Sequence, residues 1–118
     1  MEYCNVDVLK GKTLTRCEDI GDEIIFETTE GETYRMYHQQ DCCECVSIED
    51  IVGELSDLVG SEILLAEEVD GESPVDFEPY DSHTWTFYKF ATRKGYVDIR
   101  WLGTSNGYYS ESVTFAKE

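Results

Sequence analysis

The sequence predicts an α+β domain, a single antiparallel sheet of six or seven strands with one short helix packed on it. Three observations carry that expectation. Short runs rich in β-branched and aromatic residues are separated by glycine-bearing turns along most of the 118 residues. Between Ser47 and Gly60 the apolar positions switch to the spacing of a helix. The length suits one domain over residues 1–118, and 41% hydrophobic with 13% aromatic residues is enough for one core.

Residues 6–16 read as a strand. Residues 23–28 (EIIFET) and 33–37 (TYRMY) flank Glu30-Gly31, where glycine supplies the positive φ of a hairpin turn, so the first third is a meander. Ser47 with Asp50 three residues later has the form of a helix start, and Ile48, Ile51, Val52 and Leu55 follow at helical spacing up to Gly60. Residues 62–69 (EILLAEEV) read as a strand with an apolar start, or as an extension of that helix after a break. Residues 67–81 hold both prolines and seven carboxylates, and an acidic loop is expected at about 70–82. Three further strands, at 84–91, 96–101 and 108–115, are joined by TRKG and GTSNG. Alternation puts Val97, Ile99 and Trp101 on one face, with Tyr109, Val113 and Phe115 opposite them, and turns Tyr96, Asp98 and Arg100 outward.

Charge narrows the function classes. Twenty-six Asp and Glu against nine Lys and Arg give −17, about twice the upper end of what keeps a small domain soluble. A nucleic-acid binder working through a basic surface is excluded on that ground. The charge is also uneven: residues 36–88 carry fourteen carboxylates and no Lys or Arg, whereas residues 89–118 carry five cations and three acids. No stretch is long and apolar enough to span a membrane, and the first residues lack the pattern of a secretory signal, so a soluble cytosolic protein is expected. Five cysteines, an odd number without an export signal, point to reduced thiols rather than a disulfide framework.

Laid end to end, the segments DCCECVSIEDIVGELSDLVG, AEE and TWTFYKFATRKGYVDIRWLGTSNGYYSESV resemble a family of small acidic bacteriophage and prophage proteins of unknown function. In that family a D-C-C-E segment precedes an aromatic W-T-F-Y strand and an S-N-G-Y-Y-S-E motif. The similarity runs from about Gly11 to Phe115. It implies a phage origin and action in the cytoplasm of an infected bacterium, and it transfers no catalytic residue.

The chemistry-bearing residues were weighed in turn. Cys42 and Cys45 form one C-x-x-C with His38 four residues before Cys42, but zinc needs four ligands, and a second pair could come only from His38 with Cys17 or Cys4. The plainer expectation is thiols packed as small hydrophobes at a helix start, with a redox pair as the third possibility. Neither His38 nor His83 sits in a nucleophile turn, and no glycine-rich phosphate cradle is present, so no catalytic residue and no cofactor are assigned.

The function expected is therefore a non-catalytic binding protein that inhibits a host protein, a nucleic-acid-binding defence factor, by presenting an acidic surface that imitates nucleic acid. Duplex DNA shows one charge per roughly 1.7 Å, so fourteen carboxylates match about 24 Å of it, or about seven base pairs. The residues assigned to that surface are Glu49, Asp50, Glu54, Asp57, Glu67, Glu68, Asp70 and Glu72. The alternative is a sponge for a small nucleotide signal, within one chain or between copies, at Arg93, Lys94, Arg100, Asn106, Tyr108 and Tyr109. A small enzyme and an acidic scaffold with no specific ligand stand behind these two. No membrane and no direct nucleic-acid contact are expected.

Overall fold

Nine strands form among the described residues: β1 (Glu2–Tyr3), β2 (Leu14–Asp19), β3 (Glu23–Thr28), β4 (Thr33–Tyr37), β5 (Cys45–Val52), β6 (Leu65–Gly71), β7 (Ser82–Thr92), β8 (Gly95–Ser105) and β9 (Thr114–Lys117). The computed structural model describes residues 2–71, 82–105 and 109–118. The strands make two antiparallel sheets, a five-stranded one in the order β1-β9-β4-β3-β2 and a four-stranded one in the order β5-β8-β7-β6.

Each sheet has one apolar face, and the two faces bury each other. Phe26 on β3 meets Phe90 on β7 with ring centroids 5.7 Å apart, and Phe115 on β9 stacks on Tyr34 of β4 at 5.5 Å. Trp101 on β8 donates its indole N–H to the Met36 sulfur on β4 at 3.3 Å. These side chains, with Leu14, Ile24, Tyr88, Val97 and Ile99, are within 5% of complete burial. Two such sheets stack about 10 Å apart, which aromatic side chains of this size span from both sides.

The expected α+β class is overturned: no α-helix occurs among the described residues, whose only helical pieces are 3₁₀ turns at Val6–Leu9 and Leu55–Leu58. The segment read as a helix is β5. Its register against β8 shifts between Ile48 and Asp50, so Glu49 is an extra residue in a β-bulge. Before the bulge Ile48 faces Trp101, and after it Ile51 faces Ile99. The bulge therefore places two core residues three apart in sequence, and the 3₁₀ turn adds Leu55 four further on. A strand with one inserted residue thus reproduces the i, i+3, i+7 spacing of a helix.

Three other boundaries move for similar reasons. Residues 6–16 are not one strand: Val6 and Leu9, three apart and both buried, close a 3₁₀ turn before β2 begins. The 62–69 run becomes β6 only from Leu65, because the Ile63 backbone bonds to Gly11 and Lys12. The strand expected at 108–115 does not form on β8: its described residues, 109–115, do not pair with β8, which already pairs with β5 and β7 on its two edges. The chain crosses to the other sheet instead, and β9 slots between β1 and β4. The β3–β4 hairpin has the expected bounds, with Gly31 at φ +82°.

Gly53, which ends β5, sits at φ +94°, and a Cβ there would run into the Tyr96 carbonyl oxygen of β8. Gly53→Ala is expected to lower stability by on the order of 1–3 kcal/mol, read as a drop in the urea midpoint with an unchanged slope. A wild-type midpoint would show that the β5 exit relaxes without cost.

Candidate functional site

The outer face of the four-stranded sheet carries a partly exposed apolar strip among the described residues. Along β7 the even residues Thr86, Tyr88 and Phe90 are buried in the core, and Trp85, Phe87 and Lys89 therefore point outward. Phe87 lies opposite Val69 on β6 and Arg100 on β8, while Lys89 lies opposite Glu67 and Asp98. Val52, Val69, Phe87, Lys89, Asp98 and Arg100 line a cleft of about 340 Å³. Val52 and Val69 are 52% and 39% exposed, and Trp85 stacks beside Phe87 with the rings 7° from parallel.

Carboxylates flank this cleft from both edges of the sheet. On β5, Glu49 and Asp50 both turn outward because of the bulge, and Arg100 bridges them at 3.2 and 2.9 Å. Glu54 and Asp57 follow in the turn after β5, and Glu67 projects from β6 on the opposite edge. Glu68, next along β6, takes the Tyr88 hydroxyl at 3.3 Å, and Asp70 lies near the end of the same strand. Glu72 lies outside the described residues. Of the assigned acids, Glu49 and Asp50 on β5 and Glu67 on β6 stand on the outer face, three strand spacings or about 14 Å apart, while Glu68 shares the face of the buried Tyr88, so the set is not one continuous patch.

The cations of the other sheet are engaged locally. Lys12 and Lys117 hold Glu32 at 2.7 and 3.2 Å, and their hydrogen bonds bring its carboxyl down to about 2. Arg16 pairs with Glu18 and Glu27, and Arg35 with Glu23 and Glu118. That local pairing offsets part of the charge on the five-stranded sheet.

The residues assigned to a nucleotide site are not brought together. Arg93 and Lys94 form the β7–β8 turn, Arg100 is committed to Glu49 and Asp50, and Tyr109 lies beyond the far end of β8. Ten strand steps separate the ends of β8, about 34 Å. Asn106 and Tyr108 lie outside the described residues.

The D-C-C-E segment forms the crossover from β4 to β5 and is built around a buried anion. Glu44 is 3% exposed, and its carboxylate accepts the backbone N–H groups of Asp41 (2.9 Å) and Cys42 (2.8 Å) and the Gln40 amide (3.2 Å). The His38 Nε2–H donates to it at 2.7 Å, and His38 Nδ1 lies 2.6 Å from the Ser112 carbonyl oxygen. Both ring nitrogens of His38 thus face acceptor oxygens, one on each side of the ring. Burial pushes the Glu44 carboxyl up, but hydrogen bonds from Cys42, His38 and Asp41 outweigh that and hold it at about 2. His38 is thereby turned away from Cys42 and Cys45, the candidate zinc ligands, and no group of three metal-ligating side chains occurs among the described residues. Cys42, Cys43 and Cys45 are exposed, not packed as small hydrophobes, because no helix forms there to bury them.

The S-N-G-Y-Y-S-E segment holds a second buried carboxylate. Glu111 is 8% exposed and accepts the Thr84 and Ser105 hydroxyls at 3.0 and 2.5 Å. Its backbone crosses so close to β8 that a Cβ at Gly103 would lie 2.7 Å from the Glu111 Cβ. Both glutamates were missed as structural centres. The available signal was that each ends one of the motifs of the family resemblance, D-C-C-E and S-N-G-Y-Y-S-E. The outward Trp85 and Phe87 were likewise legible, since TWTFYKFA places large apolar groups on both faces of one strand.

The family described as a domain of unknown function (DUF7448) matches residues 7–115, and the chain belongs to it. No curated protein and no solved structure matches the chain.

Because folding lowers its pKa from 4.5 to about 2, Glu44 adds stability that is complete above the ordinary carboxylate range and lost as the pH falls through that interval. Glu44→Gln is expected to lower the urea midpoint at about pH 7, with the gap to wild type closing between about pH 4.5 and pH 2. A gap that stays constant across that window would mean that the Glu44 charge contributes nothing.

Proposed function

We propose that this DUF7448 member is a non-catalytic binding protein that docks the outer face of its four-stranded sheet onto a protein with a basic groove of the kind that holds nucleic acid. The carrying observation is the apolar floor of Val52, Val69 and Phe87, partly exposed among the described residues between two edge strands that bear carboxylates. Exposed apolar side chains gathered on one sheet face cost solubility unless something covers them, and an aromatic centre is where binding energy concentrates. The net charge of −17 draws a cationic partner in from a distance, and the strip then fixes its register. Carboxylates on two edge strands about 14 Å apart, flanking a cleft, also approximate the spacing of charge across the roughly 12 Å major groove of DNA. Arg100 offsets one of the two charges of Glu49 and Asp50, so the β5 side keeps one of them together with those of Glu54 and Asp57. The resemblance to phage proteins adds the setting: a host defence factor, in the cytoplasm of an infected bacterium, whose nucleic-acid groove is blocked.

A second reading rests on the same cleft. Lys89 makes no ion pair among the described residues and stands with Arg100 beside the Phe87 ring, a combination suited to a small nucleotide. This moves the sponge idea from the ends of β8 to its middle.

Capture of basic proteins from a bacterial lysate on the immobilised chain tests both readings. Docking by protein requires that the captured partner be released between about 0.1 and 0.5 M salt and by added duplex DNA, and that Phe87→Asp abolish capture. Capture that survives Phe87→Asp, or is insensitive to salt, sinks it. Arg100→Gln separates the alternatives: freeing Glu49 and Asp50 strengthens capture of a cationic protein, whereas nucleotide binding, read by thermal shift, is lost.

A further inference from the structure

Exposure of Cys42, Cys43 and Cys45 requires an explanation, because free thiols are ordinarily buried as small apolar groups. The structure joins the sulfurs of Cys42 and Cys43 in a disulfide between neighbouring residues and leaves Cys45, two residues on, as an exposed thiol. The backbone beneath is held in one shape. The Glu44 carboxylate fastens the N–H groups of Asp41 and Cys42, and the Gln40 amide donates to the carbonyls of Cys42 and Glu44 at 3.2 and 2.8 Å. The anion and its donors face inward while the three cysteines face solvent. The remaining two thiols differ: Cys17 is buried and pushed up to about 12 by that burial, and burial likewise raises the half-buried Cys4.

We propose that Cys42 and Cys43 form a thiol–disulfide exchange site for low-molecular-weight thiols, displayed on the Glu44-anchored crossover. In the reductive direction a thiolate attacks one of the two sulfurs, forms a mixed disulfide and expels the other cysteine as its thiolate, which takes a proton from water. A second thiol then attacks the mixed disulfide, releases the first cysteine, and leaves as half of the external disulfide. Two small thiols are oxidised and one protein disulfide is reduced to two thiols. The reverse needs an external disulfide as oxidant. Asp41 and the net charge of −17 surround the pair with negative potential, so exchange favours a cationic thiol such as cysteamine over the anionic glutathione. The site is distinct from the docking cleft: Cys45 and Val52 are the two ends of β5, seven strand steps or about 24 Å apart.

The full chain, treated with cystamine and quenched, is weighed intact beside Cys42→Ser, Cys43→Ser and Cys45→Ser. Cys45→Ser is expected to lose two hydrogens, and wild type to lose the same two while also gaining one cysteamine on Cys45, both reversibly with dithiothreitol, while Cys42→Ser and Cys43→Ser carry mixed disulfides without that loss. A loss of two hydrogens in Cys43→Ser would assign the bridge to Cys42 and Cys45 and overturn the proposal, as would failure of the wild type to lose them. Reduction of the oxidised wild type by cysteamine is expected to exceed that by glutathione at least several-fold at low salt, after correction for thiolate fraction, with the ratio shrinking as salt is added. A salt-independent ratio near one would remove the electrostatic selectivity.

Discussion

A carboxylate removed from water must be met by donors, and in this protein Glu44 meets that demand with His38, Gln40, Asp41 and Cys42, all from the segment between β4 and β5. His38 follows β4, Asp41 and Cys42 form the crossover, and through His38 the network reaches Ser112 just before β9. These are the places where the chain passes between sheets. The buried anion therefore acts as a junction: it fixes where β4 ends, where β5 starts and where the returning chain lies. Glu111 repeats the arrangement with hydroxyl donors over Gly103, so the D-C-C-E and S-N-G-Y-Y-S-E motifs each contain one buried carboxylate.

The other acids behave differently because they remain in water. In the five-stranded sheet, Arg16, Arg35, Lys12 and Lys117 each lie beside carboxylates of the same sheet, so part of the charge there is offset. On the four-stranded sheet, Arg100 is drawn to the two acids that the β5 bulge turns outward. What remains is a negative rim around an apolar cleft. Surface pairs of this kind contribute little to stability, and their larger consequence is the field they present to a partner.

Residue order revealed much of the strand content and misled at several places for identifiable reasons. The β3–β4 hairpin was legible from EIIFET, Gly31 and TYRMY, and the inward set Val97, Ile99 and Trp101 from simple alternation. Ile48, Ile51 and Leu55 imitated a helix because a bulge inserts one residue into a period of two. Among candidate site residues, Glu49, Asp50 and Glu67 lie on the sheet that carries the cleft, whereas Arg93, Arg100 and Tyr109 are spread along it. Their separation could not be read because a hairpin was assumed between β8 and the following segment.

What the amino-acid order determined by itself is local: which residues alternate, where glycine permits a turn, and how strongly the middle of the chain is charged. Those follow from steric and solvation preferences that act over a few residues. Tertiary structure alone decided the partition of the strands into two sheets and the burial of Glu44 and Glu111. It also decided the exposure of Phe87 between its charged neighbours. The reason is that strand pairing joins backbone groups far apart in sequence, and a strand whose two edges are already taken, as β8's are, sends the next segment elsewhere.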